Sequence, residues 1–145
     1  MSSRDGGRGS DNAELVLRIV KVFQEGDFEQ IFALAHPDFE VFVPASLANA
    51  GRYQGRDGFM TWLAQWLEAW EGFTVEIADV EPVGERHVVA NMHQSARGKG
   101  SGVAVEMNIS YLWDVRDGRL AAMHLYATRA EALRVAEQRE RGDDD

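Results

Sequence analysis

The sequence predicts an α+β fold: a curved, mostly antiparallel sheet with helices covering one face. Three observations carry this. The first is a long hairpin over residues 102–126, GVAVEMNISYLWDVRDGRLAAMHLY, whose two runs flank the turn Arg116-Asp117-Gly118. Asp-Gly between alternating runs is the strongest short-range hairpin signal. In the first run Val103, Val105, Met107, Ile109, Tyr111, Trp113 and Val115 share one parity. Ala104, Glu106, Asn108, Ser110 and Asp114 take the other, with Leu112 as the large apolar exception. Side chains alternate across a strand, so one face is apolar and the other polar. The second observation is a pair of strand-like stretches before this hairpin, over 73–83 and 86–97, with turns at Gly84-Glu85 and at Gly98-Lys99-Gly100. The third is a set of amphipathic helical stripes in the first half of the chain.

Taken in order, residues 1–10 are Gly-, Ser- and Arg-rich and are expected to be a disordered tail. Asp11 with Glu14 reads as a capping box, opening a helix with Leu15, Ile19, Val22 and Phe23 on one stripe. Gly26 stops it, and Asp27 is expected to cap a second helix with Phe28, Ile31, Phe32 and Ala35 buried. His36-Pro37-Asp38 ends that helix, and 39–43 is a short strand. Residues 44–54, PASLANAGRYQ, read as a loop in which Leu47, Ala48, Ala50 and Tyr53 are less polar than a solvated loop needs. After Gly55-Arg56-Asp57-Gly58 comes a third helix. Its Phe59, Trp62, Leu63, Trp66, Leu67 and Trp70 fall at i, i+3, i+4, i+7, i+8 and i+11, and Gly72 closes it. Thr128 with Glu131 marks a C-terminal helix to about residue 137. Three helices on one face of a curved sheet make a cone with a pocket between them. The domain is expected over 11–139, with 140–145 an acidic disordered tail.

Composition narrows the function. A chain of 145 residues fits one domain with a real core. The net charge of −9 argues against a nucleic-acid partner and against anionic membranes. With no Cys, disulfide and thiolate chemistry are excluded. The first residues, MSSRDGGRGSDN, hold no apolar segment, so neither a secretory signal nor a membrane span is expected, and the cytoplasm is the expected location.

The order of elements resembles the nuclear transport factor 2-like fold, and within it the SnoaL-like family. The stretches that carry the resemblance are EGDFEQIFALAHPDFEV, GRYQGRDGF, SGVAVE and WDVRDGRLAAMHLYATRAEAL. It implies a cone-shaped α+β barrel whose mixed, mostly antiparallel sheet wraps three N-terminal-half helices, a pocket facing those helices, and often a dimer through the convex sheet face. Family members include polyketide cyclases, isomerases, dehydratases and epoxide hydrolases, so the fold does not fix the function. Ketosteroid isomerases of the superfamily place a Tyr on the first helix, an Asp base on the first strand and a protonated Asp on the third long strand. Those places hold Ile19, Val43 and Tyr111 here. Leu125 stands where many SnoaL-like proteins carry an acid, and no matching Asp-Arg-Asp set for epoxide hydrolysis is present.

Candidate site residues follow from parity and chemistry. His93 lies in the mixed series His87, Val89, Asn91, His93, Ser95, Arg97; it is either an acid–base group or part of a solvated or interface face. Tyr111 and Trp113 face the pocket, Tyr111 as a second catalytic candidate or as core. Tyr53, Trp62, Trp66, Met107, Trp113, Met123 and Leu125 are the candidate ligand-binding residues. Leu112, His124 and Tyr126 take the opposite face, toward a partner subunit or the C-terminal helix. Asp38 and Glu40 share an exposed face; Arg52 and Arg56 are read as an anion site or as partners of Asp57. The four His show no metal-ligand spacing, and no cofactor is expected. Three functional readings result. The first is binding of a small, mostly apolar or aromatic molecule in the cone, with a homodimer through the convex face. The second is a cofactor-independent isomerase, cyclase or dehydratase using His93 and Tyr111. The third is a dimerisation module whose cone is filled by side chains.

Overall fold

The computed structural model describes residues 2–45, 47 and 49–142. Its elements run α1 (Ser2–Gln24), α2 (Phe28–Ala33), β1 (Ala35–Val43), β2 (Gly51–Gln54), α3 (Gly55–Ala69), β3 (Trp70–Val83), β4 (His87–Gly98), β5 (Ala104–Arg116), β6 (Arg119–Tyr126) and α4 (Arg129–Glu140). The six strands form one mixed sheet in the order β2-β1-β6-β5-β4-β3. Every pairing is antiparallel except β1 with β6, which is parallel. The sheet curves without closing, because β2 and β3 are its two edges rather than neighbours.

The β5–β6 turn has the two-residue form the sequence predicts. Arg116 faces Arg119, and both Asp117 and Gly118 have positive φ, at 54° and 73°. Such a turn matches the twist of the flanking strands. Two bulges then bend the sheet. One lies between Ile77 and Asp79 in β3, so that Val75, Ile77 and Val80 pair with Gln94, Met92 and Ala90 on one face although their numbering changes parity. The other lets Tyr111, Trp113 and Val115 pair with Leu125, Met123 and Leu120 on that same face. Bulges increase local twist and bend the strand, and here they turn the inner face around the helices. The main core packs on that face, from Val16 and Ile19 of α1 through Phe59 and Leu63 of α3 to Trp113 and Leu125 of the sheet. Helix α4 covers part of the opposite face, over Val89 and Leu112, with Ala132 and Ala136 against the strands.

Several local expectations are corrected. Helix α1 begins at Ser2, not at an Asp11 cap, so residues 2–10 are helical where a disordered tail was expected. Tertiary contact carries the helix past Asp11: Gly9 is buried beside Pro82, and Asn12 Nδ2 donates to Glu85 O at 2.8 Å. Asp27 stands before α2 but makes no side-chain cap; its carbonyl oxygen accepts from Gln30 N. Residues 35–38 belong to β1, and Pro37 falls in the irregular stretch between Ala35 and Glu40, where a missing N–H is tolerated. Residues 51–54, read as loop, form the edge strand β2 against 40–43. Helix α3 ends at Ala69 rather than at Gly72, because Trp70 is already extended and pairs with Gly98. The Thr128 cap is present, its hydroxyl accepting from Glu131 N, and α4 runs on to Glu140. Glu140 is therefore ordered, whereas Asp143, Asp144, Asp145 and Ala48 lie outside the described residues.

Gly58, in the first turn of α3, packs so closely that a Cβ there would stand 2.7 Å from the carbonyl carbon of Tyr53 and 3.1 Å from its Cα. Backbone cannot swing away as a flexible side chain does. Gly58→Ala is expected to cost about 1–3 kcal/mol, the usual range for overpacking. Urea unfolding checks this, and an unchanged midpoint would mean that β2 yields without cost.

Candidate functional site

The cone cavity lies between the inner sheet face and helices α1 and α3. Phe59, Trp62, Leu63 and Trp66 form the buried stripe of α3, as the 3.6-residue period requires. Trp66 stacks on Phe73 of β3, with ring centroids 5.5 Å apart and planes inclined by 26°. Tyr111 and Trp113 stack likewise at 6.1 Å on β5. Ile19 and Phe23 from α1, Met92 from β4 and Met123 from β6 complete most of the wall. The space between these side chains is about 60 Å³, well below the roughly 300–1,000 Å³ of a site for a drug-sized ligand.

Two polar side chains stand in this wall. Gln94, one of a β4 series whose other inward members are Val88, Ala90, Met92 and Ala96, donates through Nε2 to Tyr111 Oη at 2.7 Å. Burial pushes the Tyr111 pKa far above its ordinary value, and the Gln94 bond offsets this only in part. The phenol therefore keeps its proton throughout the neutral range. Among the side chains that line the cavity, three polar atoms are buried without a partner among the described residues: Nε1 of Trp62, Nε1 of Trp113 and Oε1 of Gln94. All three residues line the cavity. Its wall holds no Asp, Glu, His, Lys or Arg among the described residues.

The sequence-predicted residues divide accordingly. Trp62, Trp66, Tyr111, Trp113 and Met123 are brought together around the cavity. Leu125 is buried behind it, and Met107 is half-buried at the margin of the same core. Tyr53 packs on that core but turns its hydroxyl to Asn49 O at 2.8 Å and Gln65 Oε1 at 3.3 Å, away from the wall. His93 is not in the cone. It lies on the outer face, with Nδ1 3.1 Å from Asn108 Oδ1 and Nε2 3.3 Å from Glu106 Oε1. The His93–Tyr111 pair is thus separated by the sheet, because odd residues of β4 and odd residues of β5 face opposite sides when Gln94 pairs with Met107. Gln94, Met92, Phe39 and Phe73 are among the wall residues not named as candidates from the sequence; the single polar residue in an apolar β4 series was the available signal for Gln94. Arg52 pairs with Glu40 at 2.5 Å, and Arg56 pairs with Glu29 rather than Asp57, each guanidinium lying over a Phe ring. No group of three or more His, Asp or Glu is placed to hold a metal ion among the described residues.

A second polar cluster lies on the outer face under α4. Glu140 accepts from the backbone N–H groups of Glu85 and Arg86, and its Oε2 is 2.5 Å from Nδ1 of the buried His87. Burial alone would raise the Glu140 pKa, but these hydrogen bonds outweigh it and hold the pKa below its ordinary value. His124, beside the Phe42 ring, has Nε2 3.4 Å from Arg139 Nη1. Burial first, then the charges of Arg139 and Arg52, lower its pKa from 6.5 to about 4. The outward parity of Leu112, His124 and Tyr126 is as the sequence predicts, but α4 of the same chain packs there. Those residues therefore supply no argument for a partner subunit.

The fold is an open, curved, six-stranded mixed sheet packed on helices around an apolar cone. The SnoaL-like domain family matches residues 16–123, and the chain belongs to that family. No curated protein matches the sequence. Among solved structures, an NTF2-like protein of unknown function from Burkholderia pseudomallei is 16% identical with a TM-score of 0.72, covering 86% of this chain and 95% of its own. TerC, co-crystallised with polyporic acid, is 22% identical with a TM-score of 0.71, over 88% and 98%. A protein of ketosteroid isomerase-like fold from Catenulispora acidiphila, in complex with trimethylamine, is 17% identical with a TM-score of 0.67, over 83% and 90%. At these identities the likeness is one of fold.

Proposed function

We propose that the protein binds a small, mostly apolar or aromatic molecule in the cone. The observation that carries this reading is the wall: mostly aromatic and aliphatic side chains surround a space that has, among the described residues, no ionisable group except the Tyr111 phenol, whose pKa is raised. Apolar burial contributes about 25 cal/mol per Å², so such a wall favours binding. It offers little to stabilise a developing charge, usually the largest catalytic contribution. With His93 outside, acid–base turnover lacks a base at the cavity. Two relatives of this fold crystallised with small molecules, which supports a ligand in this one. The present 60 Å³ requires the wall to move as the ligand enters; Met92 and Met123 supply the adaptable part, since Met fills irregular space with three rotatable bonds.

Three of the four Trp line the cavity, so intrinsic fluorescence reports on it. Titration with hydrophobic aromatic probes is expected to saturate at micromolar concentration, while isomerisation of a β,γ-unsaturated ketosteroid stays at the buffer rate. Turnover lost in Tyr111→Phe would replace binding by catalysis. Absence of binding by any probe would favour the filled-cone reading, to which the small volume also points.

A further inference from the structure

We infer that a groove outside the cone binds a small zwitterion of dipeptide size, with a carboxylate at one end and an ammonium group at the other. The groove lies between α1, the β3–β4 turn and the β5–β6 hairpin, and is lined by Asp11, Asn12, Glu85, Arg86 and residues 115–118. Its volume is about 670 Å³, inside the roughly 300–1,000 Å³ range of small-molecule sites. Three contacts brace its walls. Asn12 Nδ2 donates to Glu85 O at 2.8 Å, Val115 N donates to Arg86 O at 2.7 Å, and His36 Nε2 meets Arg116 O at 2.8 Å. A braced site loses less on binding than one that must first be ordered. Nη2 of Arg86 and Nη2 of Arg116 reach the same oxygen, Oδ2 of the buried Asp114, at 3.7 and 3.3 Å. That shared oxygen brings the two guanidiniums within reach of a single ligand carboxylate. Both Arg side chains stay about half-exposed while lining the groove, and one Asp114 cannot occupy the ten N–H donors of two guanidiniums. Arginine suits a carboxylate because its planar fork can donate two parallel bonds. Asp11 and Asp117 line the same groove and pair with no cation among the described residues. A simple anion would be repelled by these carboxylates, and a simple cation by the guanidiniums. A ligand carrying both charges is complementary to both sets.

The test uses the full chain and three probes of one skeleton: alanylalanine, its N-acetyl form without the ammonium charge, and its C-terminal amide without the carboxylate. Backbone amide resonances of Asn12 and residues 115–118 are expected to shift and saturate with alanylalanine, at a Kd of about 1 mM or tighter. Each capped form is expected to bind at least fivefold more weakly. Arg116→Gln removes one guanidinium and leaves Arg86 on Asp114; it should lower the preference for alanylalanine over the amide at least threefold. Asp117→Asn should lower the preference over the acetyl form by a similar factor, and Asn tolerates the positive φ of 54° at that turn position. If Arg116→Gln does not fold, Asp117→Asn decides alone. Equal affinity for the three probes, shifts confined to residues of the cone, or no saturation would overturn the inference. None of these outcomes bears on ligand binding in the cone, which the aromatic probes test separately.

Discussion

Trp66→Ala is expected to cost about 3–5 kcal/mol, the range for removing a buried Trp from a core. Trp66 is 7% exposed, stacks on Phe73 and has its ring centroid 6.3 Å from that of Trp70, so its indole joins α3 to the start of β3. Removing it leaves a void beside the existing cavity, one the surrounding backbone cannot fill. Urea unfolding should show a lower midpoint with an unchanged slope, the sign of lost stability rather than a changed denatured state. A loss under about 1 kcal/mol would mean that α3 collapses into the space, and that the wall is softer than its packing implies.

Acidification is expected to be the next largest perturbation. His124 titrates at about 4 when folded against an ordinary 6.5, so between those values the unfolded chain takes up a proton that the folded chain refuses. Stability contributed by neutral His124 is therefore complete above pH 6.5 and falls as pH drops toward 4. The loss reaches at most about 3–4 kcal/mol, from 6.5 against about 4 at 1.36 kcal/mol per unit. Glu140 acts in the same direction at lower pH. Its folded pKa is depressed, so its contribution is present above the unfolded value and is lost as pH falls through the folded one. The ionisable groups acting on His124 are Arg139 from α4, Arg52 from β2, Asp114 from β5 and His87 from β4. His124→Gln should flatten the stability profile between pH 6.5 and 4 by at least half. Superimposable profiles would assign the acid lability elsewhere.

The hairpin at Asp117-Gly118 was legible because turn chemistry and period-2 patterning agree over more than twenty residues. The α3 stripe was legible for the same reason at helical period. Edge strand β2 was not: four residues with one Gly give no period, and only pairing with β1 makes Arg52 and Tyr53 a strand. The extension of α1 over residues 2–10 was hidden because Gly and Ser lower helix propensity there while the contacts at Pro82 and Glu85 are distant in sequence. His93 could have been placed, since Val88, Ala90, Met92 and Ala96 leave the odd residues of β4 for the other face. The Trp62, Gln94 and Trp113 orphans could not, because hydrogen-bond satisfaction is a property of the packed wall.

The parallel seam between β1 and β6 also dictates an order of events along the chain. Val41 pairs with Met123 and Phe42 with His124, and His36 Nε2 meets Arg116 O, eighty positions further along the chain. Nascent β1 and β2 therefore emerge from synthesis with no sheet to join until the last strand has been made. Contacts this distant in sequence slow folding and leave apolar surface open to aggregation. The first half of the molecule thus waits on the second, and a chain truncated before residue 119 should be unable to retain β1 in a sheet.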